Sequence, residues 1–187
     1  IRDVLGSRGL VDVYKRQVKS RYTSTGWRSY DMWNGYYTWI SNVNYILAEE
    51  ETMSGSETEK NYVLGQAYAV RAYSYFMLAQ MFSRTYKGHE SEPCVPLYTE
   101  PTDIATEGKG RATVEEVYQQ ITSDLDKAIT MLGNSGKRKH ISHINEAVAS
   151  GIKARVALVM EDWQTALDAA NAAISLSLIH ISEPTRP

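Results

Sequence analysis

From Trp33 onward, apolar positions recur at steps of three and four, the spacing that turns one face of an α-helix toward a core. Trp33, Tyr37, Ile40, Asn44 and Leu47 share one such face and predict a helix near 33–50. Gly55 and Ser56 interrupt the pattern, and a longer helix is predicted over 57–84. On it Gly65, Ala69, Ala72, Phe76 and Ala79 form a narrow stripe of mostly small residues, against which a neighbouring helix can come close. Val63, Ala67, Val70, Met77 and Met81 make a second apolar face, so cover on two sides is expected.

Residues 85–112 hold three prolines, Pro93, Pro96 and Pro101, and three glycines, which predicts a long connection packed as an Ω-loop or used in function. The next helix, over 113–132, has a legible start. Thr113 followed by Glu116 is a capping box, each side chain satisfying a backbone amide that the helix leaves unpaired. Val114, Val117, Ile121, Leu125, Ala128 and Leu132 supply its buried face, and Gly133–Gly136 closes it. Asn145 is a good N-cap for a helix over 145–160, with the stripe Ala147, Gly151, Ala154 and Leu158. Asp162 caps a fifth helix over 162–175 carrying Trp163, Ala166, Leu167, Ala170 and Ile174.

The alternation of bulky and small helix faces is that of helical-hairpin repeats. GQAYAVRAY and ASGIKARVA match loosely, each with an arginine, Arg71 or Arg155, among apolar neighbours. The pattern resembles tetratricopeptide repeats without their strict consensus spacing. The fold class is therefore all-α: degenerate tetratricopeptide-like hairpins, an α-solenoid with a long proline-containing connection. A mid-helix arginine is costly unless paired, so Arg71 and Arg155 should each find a carboxylate or helix-end carbonyls, with Asp124 as a partner for one. The alternative is that each reaches solvent along its aliphatic stem.

Composition narrows the function. The 187 residues are 43% hydrophobic and 22% charged, enough to bury a core, and the net charge of −2 argues against nucleic acid as a partner. Cys94 is the one cysteine, so no internal disulfide and no cysteine metal site can form. Thirteen Tyr and four Trp stand against two Phe, so most of the aromatic surface carries a polar handle, a pointer to ligand contact.

Both ends break the pattern. Leu178–Pro187 (LIHISEPTRP) follows an Ala-rich helix with polar, proline-bracketed residues, and Asp12–Gln17 (DVYKRQ) has the same foreign character. Both resemble translated sequencing-adapter read-through. Residues 1–17 and 176–187 are accordingly expected to be non-native and 18–175 to form the helical domain, within a gene that continues past both ends.

Five segments in order resemble SusD/RagB-type proteins. Trp33-Asn-Gly-Tyr-Tyr-Thr-Trp-Ile with Asn44 is similar to their first solenoid helix, and GQAYAVRAYSYFMLAQMF (65–82) to their second. Pro96-Leu97 with Glu100-Pro101 matches the proline segment that follows. Arg111-Ala-Thr-Val-Glu-Glu-Val-Tyr with Ile121 and Asp124-Leu125 resembles the third helix. Asn145 to Trp163, with Lys-Ala-Arg at 153–155, resembles the fourth and the start of the fifth. The likeness spans about residues 27–175 and departs at Ser83–Cys94, a slightly longer link than the family's, which bears on the shape of that loop. It implies a surface-exposed, non-catalytic glycan-binding lipoprotein of the outer membrane. Such a protein lids a TonB-dependent transporter and feeds it oligosaccharides, with no cofactor. The signal peptide and lipidated cysteine would lie outside these residues.

Sugars are held by aromatic faces, with Asn, Asp and Arg taking hydroxyls. The densest such group is Trp27, Arg28, Tyr30 and Asp31, expected on a loop just before the first helix. The competing reading packs Trp27 and Tyr30 over the helix end. Trp33, Tyr37 and Trp163 read as repeat core. His140 and His143 lie in a basic loop without nearby carboxylate or cysteine partners, so no metal site is expected. No nucleophile triad, phosphate loop or H-E-x-x-H occurs, and no carboxylate pair suits a glycosidase. A tetratricopeptide-like scaffold for a peptide, with no sugar ligand, remains the alternative.

Overall fold

The structure, a computed structural model, describes the backbone of residues 27–178 and the side chains of residues 31–176. Both suspected foreign ends fall largely outside the described residues, as do residues 18–26 of the expected domain. Five helices follow in order: α1 (Trp27–Ala48), α2 (Glu57–Phe82), α3 (Val114–Gly133), α4 (Glu146–Met160) and α5 (Trp163–Leu178). Among the described residues there is no strand, and one antiparallel bridge joins Pro93 to Thr113. The all-α expectation holds. The chain divides into two compact units, Ile1–Thr38 and Trp39–Pro187. In the first, the rings of Trp33 and Tyr37 lie 4.8 Å apart and both side chains are partly buried.

The second unit is a stack of hairpins. α2 packs on α3, α3 on α4 and α4 on α5. Local chemistry starts α3, α4 and α5 where the caps predict. Thr113 and Glu116 form the capping box of α3, Asn145 Oδ1 accepts from Val148 N, and Asp162 Oδ1 accepts from Thr165 N. Ser56, read above only as a break, forms a second capping box with Glu59 at the start of α2. The small-residue stripe of α2 is buried along its length. At Gly65 the approach is close: a Cβ there would come within 2.7 Å of Leu132 Cγ on α3. The six predicted apolar positions of α3 are all buried.

Three expectations fail, each for a reason of register. The second apolar face of α2 is only partly covered: Ala67 is buried, but Val63 and Met81 are exposed. On α4 the buried positions are Ala149, Ser150, Ala154, Val156 and Ala157, a face rotated from the expected stripe, and a Cβ on Gly151 would meet nothing within 4 Å. On α5, Ala166 and Ala169 are buried, while Trp163, Leu167 and Ile174 are exposed. Trp163 is therefore not a core residue of the described structure. Small side chains let α4 and α5 approach, and the bulky ones are left outside.

Candidate functional site

The long connection is not a free loop. Cys94 and Val95 are fully buried, Cys94 N donates to Ala112 O, and Ala112 N donates to Val95 O. Arg111, near the end of the segment, donates from Nη2 to Phe82 O at the end of α2 at 2.8 Å and from Nε to Cys94 O within the segment. Tyr75 of α2 clamps the middle, its hydroxyl donating to Tyr98 O at 2.8 Å and accepting from Tyr98 N at 2.7 Å. Burial pushes the Tyr75 phenol well above its ordinary value, so it stays a neutral donor.

At the centre sits Arg71. Its guanidinium grips Asp124 of α3 with both arms, Nε to Oδ2 at 2.8 Å and Nη2 to Oδ1 at 2.7 Å, and the Asp124 side chain is fully buried. Nη1 donates to Asn44 Oδ1 of α1 at 2.9 Å and to Thr99 O at 3.3 Å. Asn44 passes the linkage on, its Nδ2 donating to Tyr98 O at 2.8 Å and Glu100 O at 3.1 Å, while Gln120 Nε2 donates to the second lone pair of Asp124 Oδ1. Burial acts to lower the Arg71 pKa, but the hydrogen bonds and charge of Asp124 outweigh it, and the guanidinium stays charged. The ring of Tyr68 lies under Arg71, 5.4 Å from it, and its hydroxyl donates to Glu50. Burial first, then Glu50, push that phenol up to about 12. One arginine thus joins α1, α2, α3 and the connection, and the expected Arg71–Asp124 pair is present. Arg155 behaves otherwise: it is exposed, with its guanidinium 6.0 Å from the Phe76 ring, so the snorkelling alternative holds there.

The expected setting of the predicted sugar residues needs a correction. α1 begins at Trp27, not near residue 33, so Trp27, Arg28, Tyr30 and Asp31 lie in its first turns and not on a loop. Periodicity counted from Trp33 missed the six helical residues before it. The side chains of Trp27, Arg28 and Tyr30 lie outside the described residues, and Asp31 is exposed. Helical spacing places positions 27, 30 and 31 on one face, with 28 beside it. His140 and His143 stand with ring centroids 5.7 Å apart, and His143 Nδ1 is hydrogen-bonded to Tyr62 Oη. Among the described residues no group of three or more His, Cys, Asp or Glu could hold a metal ion.

Sequence reasoning passed over one surface feature. Half-exposed Trp39 and exposed Asn42 of α1 line an open groove of about 380 Å³ with Val43 and with Val70 of α2. Trp39 falls between the core positions Tyr37 and Ile40, so the core pattern hid it.

Comparison with known proteins now bears on this arrangement. The SusD-like family, described as starch-binding and associating with the outer membrane, matches residues 9–158. A putative sugar-binding protein from Bacteroides vulgatus aligns at 30% identity with a TM-score of 0.71, over 77% of this chain and 32% of that one. A SusD-like carbohydrate-binding protein from the same organism aligns at 29% and 0.73, over 78% and 31%. A SusD superfamily protein from Bacteroides thetaiotaomicron aligns at 30% and 0.68, over 76% and 31%. No curated protein sequence matches. The chain spans about a third of the length of these structural relatives. A hairpin stack of this order, closed around a buried arginine hub and matched by the family over most of its length, places the chain in the SusD-like family.

Proposed function

We propose that this chain is the helical part of a cell-surface glycan-binding lipoprotein, non-catalytic, that hands oligosaccharides to a TonB-dependent transporter in the outer membrane. The observation that carries the reading is the family match, because the matched family binds starch and associates with the outer membrane. Two relatives near 30% identity are themselves described as sugar-binding or carbohydrate-binding. None of the described helices is long and apolar enough to cross a membrane, which is compatible with attachment by a lipid. The sugar contacts are proposed at the head of α1, with Trp27 and Tyr30 offering ring faces and Arg28 and Asp31 taking hydroxyls. A site on a rigid helix holds such groups more closely in place than a loop would.

The test is affinity electrophoresis of the chain through gels containing different neutral polysaccharides, with Trp27→Ala beside the parent. Retention of the parent, weakened by Trp27→Ala and little changed by added salt, is the expected result, since no ion pair to the ligand is involved. Retention by no polysaccharide, with tight binding to a peptide, would instead establish the scaffold alternative. Equal retention of the two proteins would remove Trp27 from the site.

A further inference from the structure

We propose that a cleft among α3, α4 and the start of α5 is a saccharide subsite, in which Lys153 donates to one hydroxyl of a sugar ring and Asp126 accepts from its neighbour. The proposal rests on the glycan-binding reading and deepens it, naming residues of the hairpin stack that meet the sugar.

The cleft has a volume of about 230 Å³ and is lined from all three elements. At about 30 Å³ per water it holds roughly seven or eight waters, enough for one pyranose ring. Its polar edge is already ordered. Lys153 Nζ of α4 donates to Asp126 Oδ1 of α3 at 2.6 Å. The Lys153 side chain is only 24% exposed, so the ammonium is held against the cleft wall and not out in bulk water. Among the described residues this is the one side-chain hydrogen bond of either group. Two ammonium protons and the second carboxylate oxygen therefore remain available, side by side. Asp162, just before α5, faces the same cleft. The Thr165 hydroxyl and amide first, and then the charge of Lys153, hold its carboxyl below the usual range. Lys153 thus stands among two carboxylates and is bonded to one.

This arrangement selects a neutral, hydroxyl-bearing ligand. An anion would have to compete with Asp126 for the ammonium and would meet two like charges. A cation would have to displace Lys153 from Asp126. A hydroxyl both donates and accepts, so a vicinal pair takes one proton from Lys153 and gives one to Asp126 while the ion pair stays whole. Hydrogen bonds to charged groups are also stronger than those between neutral ones. The Thr122 hydroxyl already gives its proton to Tyr118 O at 2.9 Å and so offers the ligand an acceptor. Val156 and Ala157, both buried, and Met160 supply an apolar side on which the C–H face of the ring can rest. Lys153, Asp126 and Thr122 all project from helices, which keeps them in place before the sugar arrives.

The experiment uses the whole chain in the same polysaccharide gels, followed by calorimetry with an oligosaccharide of the best-retained polymer. Lys153→Met, Asp126→Asn and the control Lys127→Met are compared with the parent. A partly exposed ion pair contributes little to stability, so the variants are expected to melt close to the parent. Lys153→Met is expected to weaken binding about tenfold or more, the loss of a hydrogen bond from a charged donor. Asp126→Asn, which keeps an acceptor but not the charge, should lose roughly three- to tenfold, and Lys127→Met nothing. A second measurement locates the sugar on the parent itself. The oligosaccharide should slow acetylation of Lys153, read by peptide mass spectrometry, and leave exposed Lys87 unchanged. Failure of the parent to bind any polysaccharide would overturn the glycan reading and this subsite with it. Binding that is unchanged in Lys153→Met and Asp126→Asn would overturn the subsite and leave that reading standing. Absence of protection at Lys153 would do the same even where the variants bind less or melt early, because their loss would then be indirect.

Discussion

Arg71→Met is the sharpest probe of the fold. The substitution keeps an unbranched side chain of similar reach but removes the charge and every donor. It leaves the fully buried Asp124 carboxylate without its two charge-assisted bonds at 2.8 and 2.7 Å. It also strips Asn44 Oδ1 and Thr99 O of a donor. Breaking a buried pair from one side costs about 3–5 kcal/mol, because the remaining charge is neither solvated nor paired. That is a large share of the roughly 5–15 kcal/mol that holds a typical domain together. For a chain of this length it corresponds to a fall in Tm of roughly 6–20 °C, at about 2–4 °C per kcal/mol. Urea unfolding followed by far-UV circular dichroism reads it as a shift of the midpoint, with unchanged slope if the denatured state is unaffected. The double variant Arg71→Met/Asp124→Leu supplies the control. Removing both charges leaves no orphaned carboxylate, so it should recover about half of the loss or more. A single variant within about 1 kcal/mol of the parent would refute the reasoning, since only a solvent-screened pair is so weak. So would a double variant as unstable as the single.

Other expectations follow from the helix ends and the close contacts. Gly65→Ala should destabilise by about 1–3 kcal/mol in chemical denaturation. The added Cβ meets Leu132 Cγ at 2.7 Å and the Leu132 backbone N at 3.2 Å, and overpacking outweighs the gain of up to about 1 kcal/mol in helix propensity. Glu161, the C-cap of α4, has φ +61° and ψ +24°, a left-handed conformation that costs a non-glycine residue about 1–2 kcal/mol. Glu161→Gly should therefore raise stability by about 0.5–1 kcal/mol, read as a higher urea midpoint. Glu59 and Glu116 are held below their ordinary value of 4.5 by their capping boxes, Glu59 first by the Ser56 side chain and Glu116 first by the Thr113 backbone amide. A depressed carboxylate contributes stability above its unfolded value and loses it as pH falls through the folded one. Stability should thus decline as pH drops below 4.5, and Glu59→Gln/Glu116→Gln should flatten that part of the curve, with melting scans at several pH values as the check.

Much of this molecule is written in local sequence. Helix starts at Thr113, Asn145 and Asp162 need only a side-chain oxygen within reach of an amide two or three residues on, so residue type alone predicts them. The core face of α3 follows from its 3.6-residue repeat for the same reason. Arg71 could be marked as needing a partner because charge and burial conflict whatever the topology, and Asp124 was within reach of that argument. Tertiary structure decided the rest. Whether an arginine among apolar neighbours is gripped or escapes to water depends on which helix stands opposite, which is why Arg71 is buried and Arg155 is exposed. Which face of α4 and α5 meets the core depends on how closely their backbones approach. Ala166 and Ala169 went inward there, although Trp163 carries the stronger apolar signal. The Trp39 groove was invisible for a related reason. A helical wheel assigns an aromatic to one helix face, but only the neighbouring α2 determines whether that face is filled or borders a groove with Val70. Periodicity and caps act within one turn of chain, whereas pairing, register and grooves belong to contacts between residues far apart in sequence.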